Sequence, residues 1–228
     1  MFPDKNIIMI EYINWGYIEY QEACGKQKDL FEARVNAKNT VNNLPDLAIF
    51  CEHPHVYTLG KSGNVENLLV GNQMLRDKGV TFAKTDRGGD ITYHGPEQMV
   101  VYPIFDLEHF KIGLRKYIYN LEEAVILFLL EYGVVGERLK GATGVWIEPF
   151  STDKARKICA IGVKSSRFIT MHGLALNINV DLSYYSYINP CGFKDKGVTS
   201  LEKEIGKKQD MEECRQLLFQ KLIQVFNY

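Results

Sequence analysis

Apolar residues recur at three- and four-residue steps over Leu114, Tyr117, Ile118, Leu121, Val125, Phe128, Leu129 and Tyr132, which predicts an amphipathic helix closed by Gly133. A second stripe, Met211, Cys214, Leu218, Leu222 and Val225, follows Asp210, and Glu213 completes a capping-box pattern. A third helical stretch lies within residues 16–43, where Gly25 interrupts a polar pattern. Between these, the pattern shortens to β-rich runs: Leu47 to Cys51, Val80 to Thr85, Ile91 to Tyr93, Met99 to Phe105, Gly144 to Ile147, Lys157 to Val163 and Phe168 to Val180. The glycine turn between Val80–Thr85 and Ile91–Tyr93 favours an antiparallel hairpin. Helix, strands, long helix, strands, helix is an α+β order. It predicts one domain, residues 1–228, with a mixed, largely antiparallel sheet packed against helices.

Composition narrows the class. Of 228 residues, 46% are hydrophobic and 24% charged, which suits a packed core. A net charge of -1 gives no electrostatic reason for a nucleic-acid partner. The N-terminal stretch carries Asp4 and Glu11 and does not read as a secretory signal, and Ala124 to Leu130 is too short to span a bilayer. Five cysteines without paired spacing point to reduced thiols, so a cytoplasmic protein is expected, without a membrane partner. Neither CxxC nor HExxH occurs, and no metal site or cofactor is expected.

Three segments are stranger than folding requires. Arg87-Gly88-Gly89-Asp90-Ile91-Thr92-Tyr93-His94 pairs glycines, which let backbone approach a ligand, with polar anchors. A hairpin turn would explain it equally well. Lys157 opens the apolar run Ile158 to Val163, where an ammonium at a strand edge can reach into a pocket; a lone lysine there ordinarily just meets solvent. Cys191, between Pro190 and Gly192, must occupy a turn, unlike Cys24, Cys51 or Cys214. Cys159 is its rival, because strand alternation puts it on the same face as Lys157. Together these segments supply a nucleophile, a base and a ligand-lining loop.

At this point the chain resembles one family, the lipoyl(octanoyl) transferases. RGGDITYHGP followed by QMVVYP is similar to the family's RGG-x-x-TYHGPGQ-x-x-YP signature, and RKICAIGVK, MHGLALNIN, INPCG and VTSL resemble its remaining motifs in order. Lys157 and Cys191 stand 34 positions apart, as those motifs require, and the match runs from about His53 to Leu201. The sequence departs from the pattern at Glu97, where a glycine is usual, at Val101, at His55 and at Cys159.

The resemblance implies a biotin/lipoate protein ligase-like fold. It also implies that Cys191 forms an acyl-thioester and that Lys157 lowers its pKa. The acyl group would be lined by Arg87 to His94, by Ala160, Ile161 and Gly162, and by Gly173, Leu174 and Ala175. His53 and His172 lie in its motifs, with loop support as their simpler role. The donor it implies is octanoyl-acyl carrier protein. The implied acceptors are lipoyl domains of 2-oxoacid dehydrogenase complexes and the glycine cleavage H protein, served by a monomer. Backbone N–H groups near Gly88 or Gly192 would meet the oxyanion. Four rivals remain: an ATP-dependent lipoate or biotin ligase, an amidotransferase between lipoyl-type proteins, a non-catalytic fatty-acid-binding module, and a Cys–His hydrolase using His94 or His172, which has no motif beyond composition.

Overall fold

Apolar runs too long for simple alternation become central strands with both faces covered. In the computed structural model, which describes residues 9–38, 44–189 and 196–227, β6 (Gln98–Ile104) and β10 (Ile169–Asn177) are buried at every position. They sit mid-sheet, in the order β1 (Ile10–Tyr17), β2 (Asp46–Glu52), β6, β10, β9 (Arg156–Ser166), β8 (Ala142–Ile147), β7 (Glu137–Leu139). The short β11 (Gly197–Val198) pairs in parallel with β9, and β1 pairs in parallel with β2. Other ladders of this sheet are antiparallel, so the fold is mixed α+β.

Helices close the two faces. On one, α3 (Leu114–Glu131) and α5 (Met211–Phe226) bury Tyr117, Leu121, Phe128, Leu218 and Leu222 against Phe50, Met99, Val101 and Leu174. On the other, α1 (Tyr20–Ala37) lays Ala23 and Phe31 over Ile49, Val100, Tyr102 and Ala175. Each fully buried large apolar side chain contributes about 1.5–3 kcal/mol, so these two layers drive folding. Asp210 caps α5 by accepting from the backbone N–H groups of Glu212 (2.7 Å) and Glu213 (2.9 Å). Helix α1 runs unbroken through Gly25; only Tyr20, Ala23, Gln27, Phe31 and Arg34 are buried, which is why its pattern in sequence is weak. Among the described residues, no helix is long and apolar enough to cross a membrane.

The expected hairpin between Val80–Thr85 and Ile91–Tyr93 does not form. Strand β3 (Val56–Leu59) lies between β4 (Thr81–Lys84) and β5 (Ile91–His94), parallel to the first and antiparallel to the second. Residues 85–90 therefore bridge two strand spacings, roughly 10 Å, instead of turning tightly. They cross the end of β3, where the N–H groups of Gly60, Lys61 and Ser62 donate to the carbonyls of Asp90, Arg87 and Gly89. The elements that the pattern did not show, β1, β3, β7, β11, α2 (Asn72–Asp77) and α4 (Leu201–Ile205), are mostly short, and β1 is an edge strand with mixed burial.

Candidate active site

The pairing of β8 with β9 ends at Val145–Cys159, which leaves the next part of β9 without a partner on that side until Gly88 N–H donates to Val163 O (3.0 Å). A cavity of about 470 Å³ occupies this gap. Arg87 to Thr92, His94, Ala160 to Gly162, Gly173 to Ala175 and Lys157 all line it. Tyr93 does not. Alternation along β5 turns it to the opposite face, where it is fully buried against Tyr57, Tyr184 and Tyr185, and its hydroxyl lies 2.7 Å from His55 Nδ1. Gly88 is likewise committed: its N–H is taken by Val163 and is not available to an oxyanion.

Arg87 serves the loop before any ligand. Its Nη2 donates to Thr58 O (2.7 Å), Thr58 Oγ1 (2.9 Å) and Asp90 O (2.8 Å), and Nη1 to Gly88 O (3.0 Å). Asp90 accepts from Ile91 N–H (2.7 Å) and Asn67 Nδ2 (2.6 Å). Backbone packing here is close: a Cβ on Gly60 would stand 2.3 Å from Gly89 O. The Arg-Gly-Gly-Asp segment is thus a pre-formed wall, held without a ligand's help.

The polar chain continues inward. Thr58 Oγ1 lies 3.4 Å from His94 Nε2, and His94 Nδ1 donates to Gln98 Oε1 (2.8 Å). Gln98 Nε2 then donates to Asn177 Oδ1 (2.9 Å), whose Nδ2 donates to Thr199 O (2.9 Å). Gln98 and Asn177 sit inside the motifs QMVVYP and MHGLALNIN, yet sequence reasoning gave neither a role. It also missed Tyr20, Tyr102, Leu114, Ile118 and Trp146 in the cavity wall.

His53 and His94 are buried and neutral. Burial lowers His53 to about 4, with Nδ1 donating to Ile18 O (2.7 Å) and Nε2 accepting from Tyr102 hydroxyl (2.6 Å). His94 is lowered to about 3, first by burial and then by the neighbouring His53 and Arg87, which oppose a second positive charge there. His172 Nε2 donates to Asp86 Oδ1 (2.7 Å), and Lys164 Nζ reaches Asp86 Oδ2 (2.6 Å). Burial would raise Asp86, but those two bonds hold it down near 2. His172 also has φ 62°, a left-handed conformation costly for a side chain within a strand.

The two buried imidazoles have a consequence for stability. Their folded pKa values lie below the unfolded value near 6.5, so the unfolded chain binds more protons as pH falls. Stability is fully present above about pH 6.5 and declines below it, by about 1.4 kcal/mol per pH unit for each histidine. The urea midpoint should therefore drop between pH 7 and 5.5, and His53→Gln should reduce the drop. A midpoint flat over that range would contradict buried neutral imidazoles.

Lys157 faces the cavity, with Nζ donating to Thr143 O (3.1 Å) and standing 4.6 Å from the Trp146 ring centre. Cys159 does not share that face. The register advances one residue on β8, Val145 to Trp146, while β9 moves two, Cys159 to Lys157, which makes Ile158 the extra residue of a bulge. The bulge turns Cys159 into the α3/α5 core, fully buried, with burial pushing its thiol pKa far up. Such a thiol is inert. Cys191 and Gly192 lie outside the described residues; the backbone on either side is anchored by Asn189 N–H to Asn67 O (2.8 Å) and by Thr199 N–H to Lys157 O (3.0 Å).

Two of the sequence departures find a structural setting. Glu97 has φ 60°, the left-handed region where glycine is at ease, and its carboxylate takes Lys208 Nζ (2.7 Å). His55 stacks on Tyr184 with ring centres 4.3 Å apart. For Glu97→Gly, relief of about 1 kcal/mol of backbone strain is offset by a freer unfolded chain and loss of an exposed ion pair. The thermal midpoint should stay within roughly 3 °C of the parent; a fall of about 8 °C would show that the Glu97 side chain carries structure. Among the described residues no group of histidine, cysteine or carboxylate side chains could hold a metal ion.

The class that this fold and cavity define is the lipoyl protein ligase A/B catalytic domain, whose family model matches residues 19–223. Solved structures share the fold: lipoate-protein ligase A bound with ATP superposes with TM-score 0.64 at 15% identity, over 95% of this chain and 84% of that one. A chain of the archaeal lipoylation system of Thermoplasma acidophilum gives 0.66 at 15%, over 95% and 84%. Nearer in sequence is an octanoyltransferase of Bacteroides fragilis (strain YCH46), 55% identical over 210 residues, 92% of this chain and 95% of that protein. One from Parabacteroides distasonis is 54% identical over 215 residues, 94% and 97%. The chain belongs to the lipoyl protein ligase A/B catalytic domain family, among its octanoyltransferases, and is an acyltransferase.

Proposed function

We propose that this chain transfers octanoyl from octanoyl-acyl carrier protein to a lysine of lipoyl domains in lipoate biosynthesis, through a thioester on Cys191. The observation that carries the reading is the cavity itself. Lys157 and the motif residues of β5, β9 and β10 line one space, and so do Lys196 to Val198, which come only a few residues after Cys191. Cys24, Cys51, Cys159 and Cys214 are the other thiols, and none of them lines it.

In this mechanism the Cys191 thiol gives its proton to Lys157, and the thiolate attacks the donor's thioester carbonyl. Lys157 gives that proton to the carrier's departing sulfur, and the octanoyl group stays on Cys191. The acceptor lysine then attacks as a neutral amine. As the amide forms, neutral Lys157 takes the proton the amine loses and hands it to Cys191 sulfur as the C–S bond breaks. Exchange of one thioester for another is nearly neutral and amide formation is downhill, so no nucleotide is required. An ATP-dependent ligase would instead activate a free acid and leave Cys191 unacylated.

Incubation with octanoyl-carrier protein, digestion and mass spectrometry test the scheme. Octanoyl mass on the peptide containing Cys191 is expected. Acylation of Cys159 in its place, or transfer only from free octanoate with ATP, would overturn it.

A further inference from the structure

The family motifs account for only part of the cavity wall. Eight carbons, at about the 30 Å³ of a water-sized group, need roughly 240 Å³, and the cavity holds about 470 Å³. The wall beyond those motifs includes Leu114 and Ile118 of α3 and Gly141 to Thr143 at the start of β8, with Lys157 bonded to Thr143 O and Trp146 to Ala142 O. None of these but Lys157 has been given a role.

The charge here is one-sided. Arg115 and Lys140 are exposed next to the lining residues Leu114 and Gly141, and Lys157 and Lys196 are in the wall itself. Residues 109–119, 139–147 and 196–201 contain no aspartate or glutamate, in a chain whose net charge is -1. The next carboxylates along α3 are neutralised from within: Glu122 and Glu123 receive Arg138 at 3.0 and 2.6 Å, and Glu122 also accepts from Gly144 N–H (3.0 Å). Leu114, 41% exposed, gives the lip an apolar contact among the cations.

We infer that this cationic part of the cavity wall receives the phosphodiester-linked arm of the thioester donor, with Arg115 and Lys140 meeting its negative charge. The inference rests on the donor proposed above. A thioester hung from a phosphodiester brings an anion to the cavity mouth, and clustered cations attract it over a Debye length of about 8 Å. The acceptor is a lysine, which approaches as a cation and is repelled by the same rim. Electrostatics thus sorts the two substrates: the donor enters over α3, and its neutral alkyl chain passes on toward the Arg87 loop.

The test compares two donors on wild type and on the double variant Arg115→Glu, Lys140→Glu, with a lipoyl domain as acceptor. One donor is octanoyl-carrier protein. The other is octanoyl-N-acetylcysteamine, a neutral thioester without phosphate. The variant should lose roughly 10- to 100-fold in kcat/KM with the carrier, mostly in KM, and keep near-wild-type turnover with the neutral thioester. The milder double variant Arg115→Gln, Lys140→Gln should lose several-fold with the carrier alone. Unchanged kcat/KM with the carrier, equal loss with both donors, or a rise in the acceptor's KM with the donor's unmoved would overturn the inference. Wild type that turns over the neutral thioester but never the carrier would overturn the donor reading beneath it as well.

Discussion

Lys157→Ala is expected to lower octanoyl transfer by roughly 10²- to 10⁴-fold, the range for removing a positioned acid–base group. An unassisted thiol near pKa 8.5 is only a few per cent thiolate at neutral pH, so both half-reactions need a proton partner. In the proposed mechanism Lys157 is that partner; Thr143 O at 3.1 Å and the Trp146 indole at 4.6 Å hold it in the cavity wall. Its cation favours thiolate, and its neutral form accepts protons. Lys157→Arg separates the two contributions, because a guanidinium keeps its charge and does not release a proton. In single-turnover experiments Lys157→Arg should still load octanoyl onto the enzyme, slowly, and fail to deliver it to the acceptor. Near-normal turnover of Lys157→Ala would reduce Lys157 to a wall residue.

The second large effect concerns stability. Gly173 sits in β10 opposite Gly162 of β9, and a Cβ at Gly173 would lie 2.1 Å from Val101 O and 2.6 Å from Pro103 Cδ. Both obstacles belong to β6, a strand buried along its whole length, so neither can swing aside. Gly173→Ala should cost about 3 kcal/mol or more, the upper part of the range for overpacking. For a chain of 228 residues that corresponds to roughly 6–12 °C in thermal midpoint. Activity should fall with it, since residues 172–175 line the cavity. A folded variant with an unshifted midpoint would show that β6 yields more easily than its burial implies. The contrast with Glu97 is instructive: there the backbone tolerates a side chain that points to Lys208 and solvent, whereas at Gly173 the neighbour is main chain.

Local chemistry explains which parts of this protein could be read from its sequence. Periodicity located α3 and α5 because each presents one long apolar stripe, and Asp210 marked the start of α5 through its side chain alone. The central strands β2, β6 and β10 were legible as apolar runs. The motif residues of the loop and of β9 and β10 were legible as a group, and the cavity brings all of them together except Tyr93. What failed depended on partners far away in the chain. Tyr93 belongs to an aromatic cluster assembled from residues 57, 184 and 185, which no local pattern reveals.

The same distinction decides Cys159 and the loop. Sequence by itself determined the α+β class, the family resemblance, and the pairing of Lys157 with a turn cysteine as candidate chemistry. Only the tertiary structure decided that β3 inserts between β4 and β5, that Gly88 N–H is consumed by Val163, and that Cys159 is turned into the core. The physical reason is register. Period-two alternation assigns faces correctly only while both strands advance in step, and one extra residue at Ile158 reverses the face of the residues beyond it. Sequence carries the composition of a strand; the partner strand sets where each residue points.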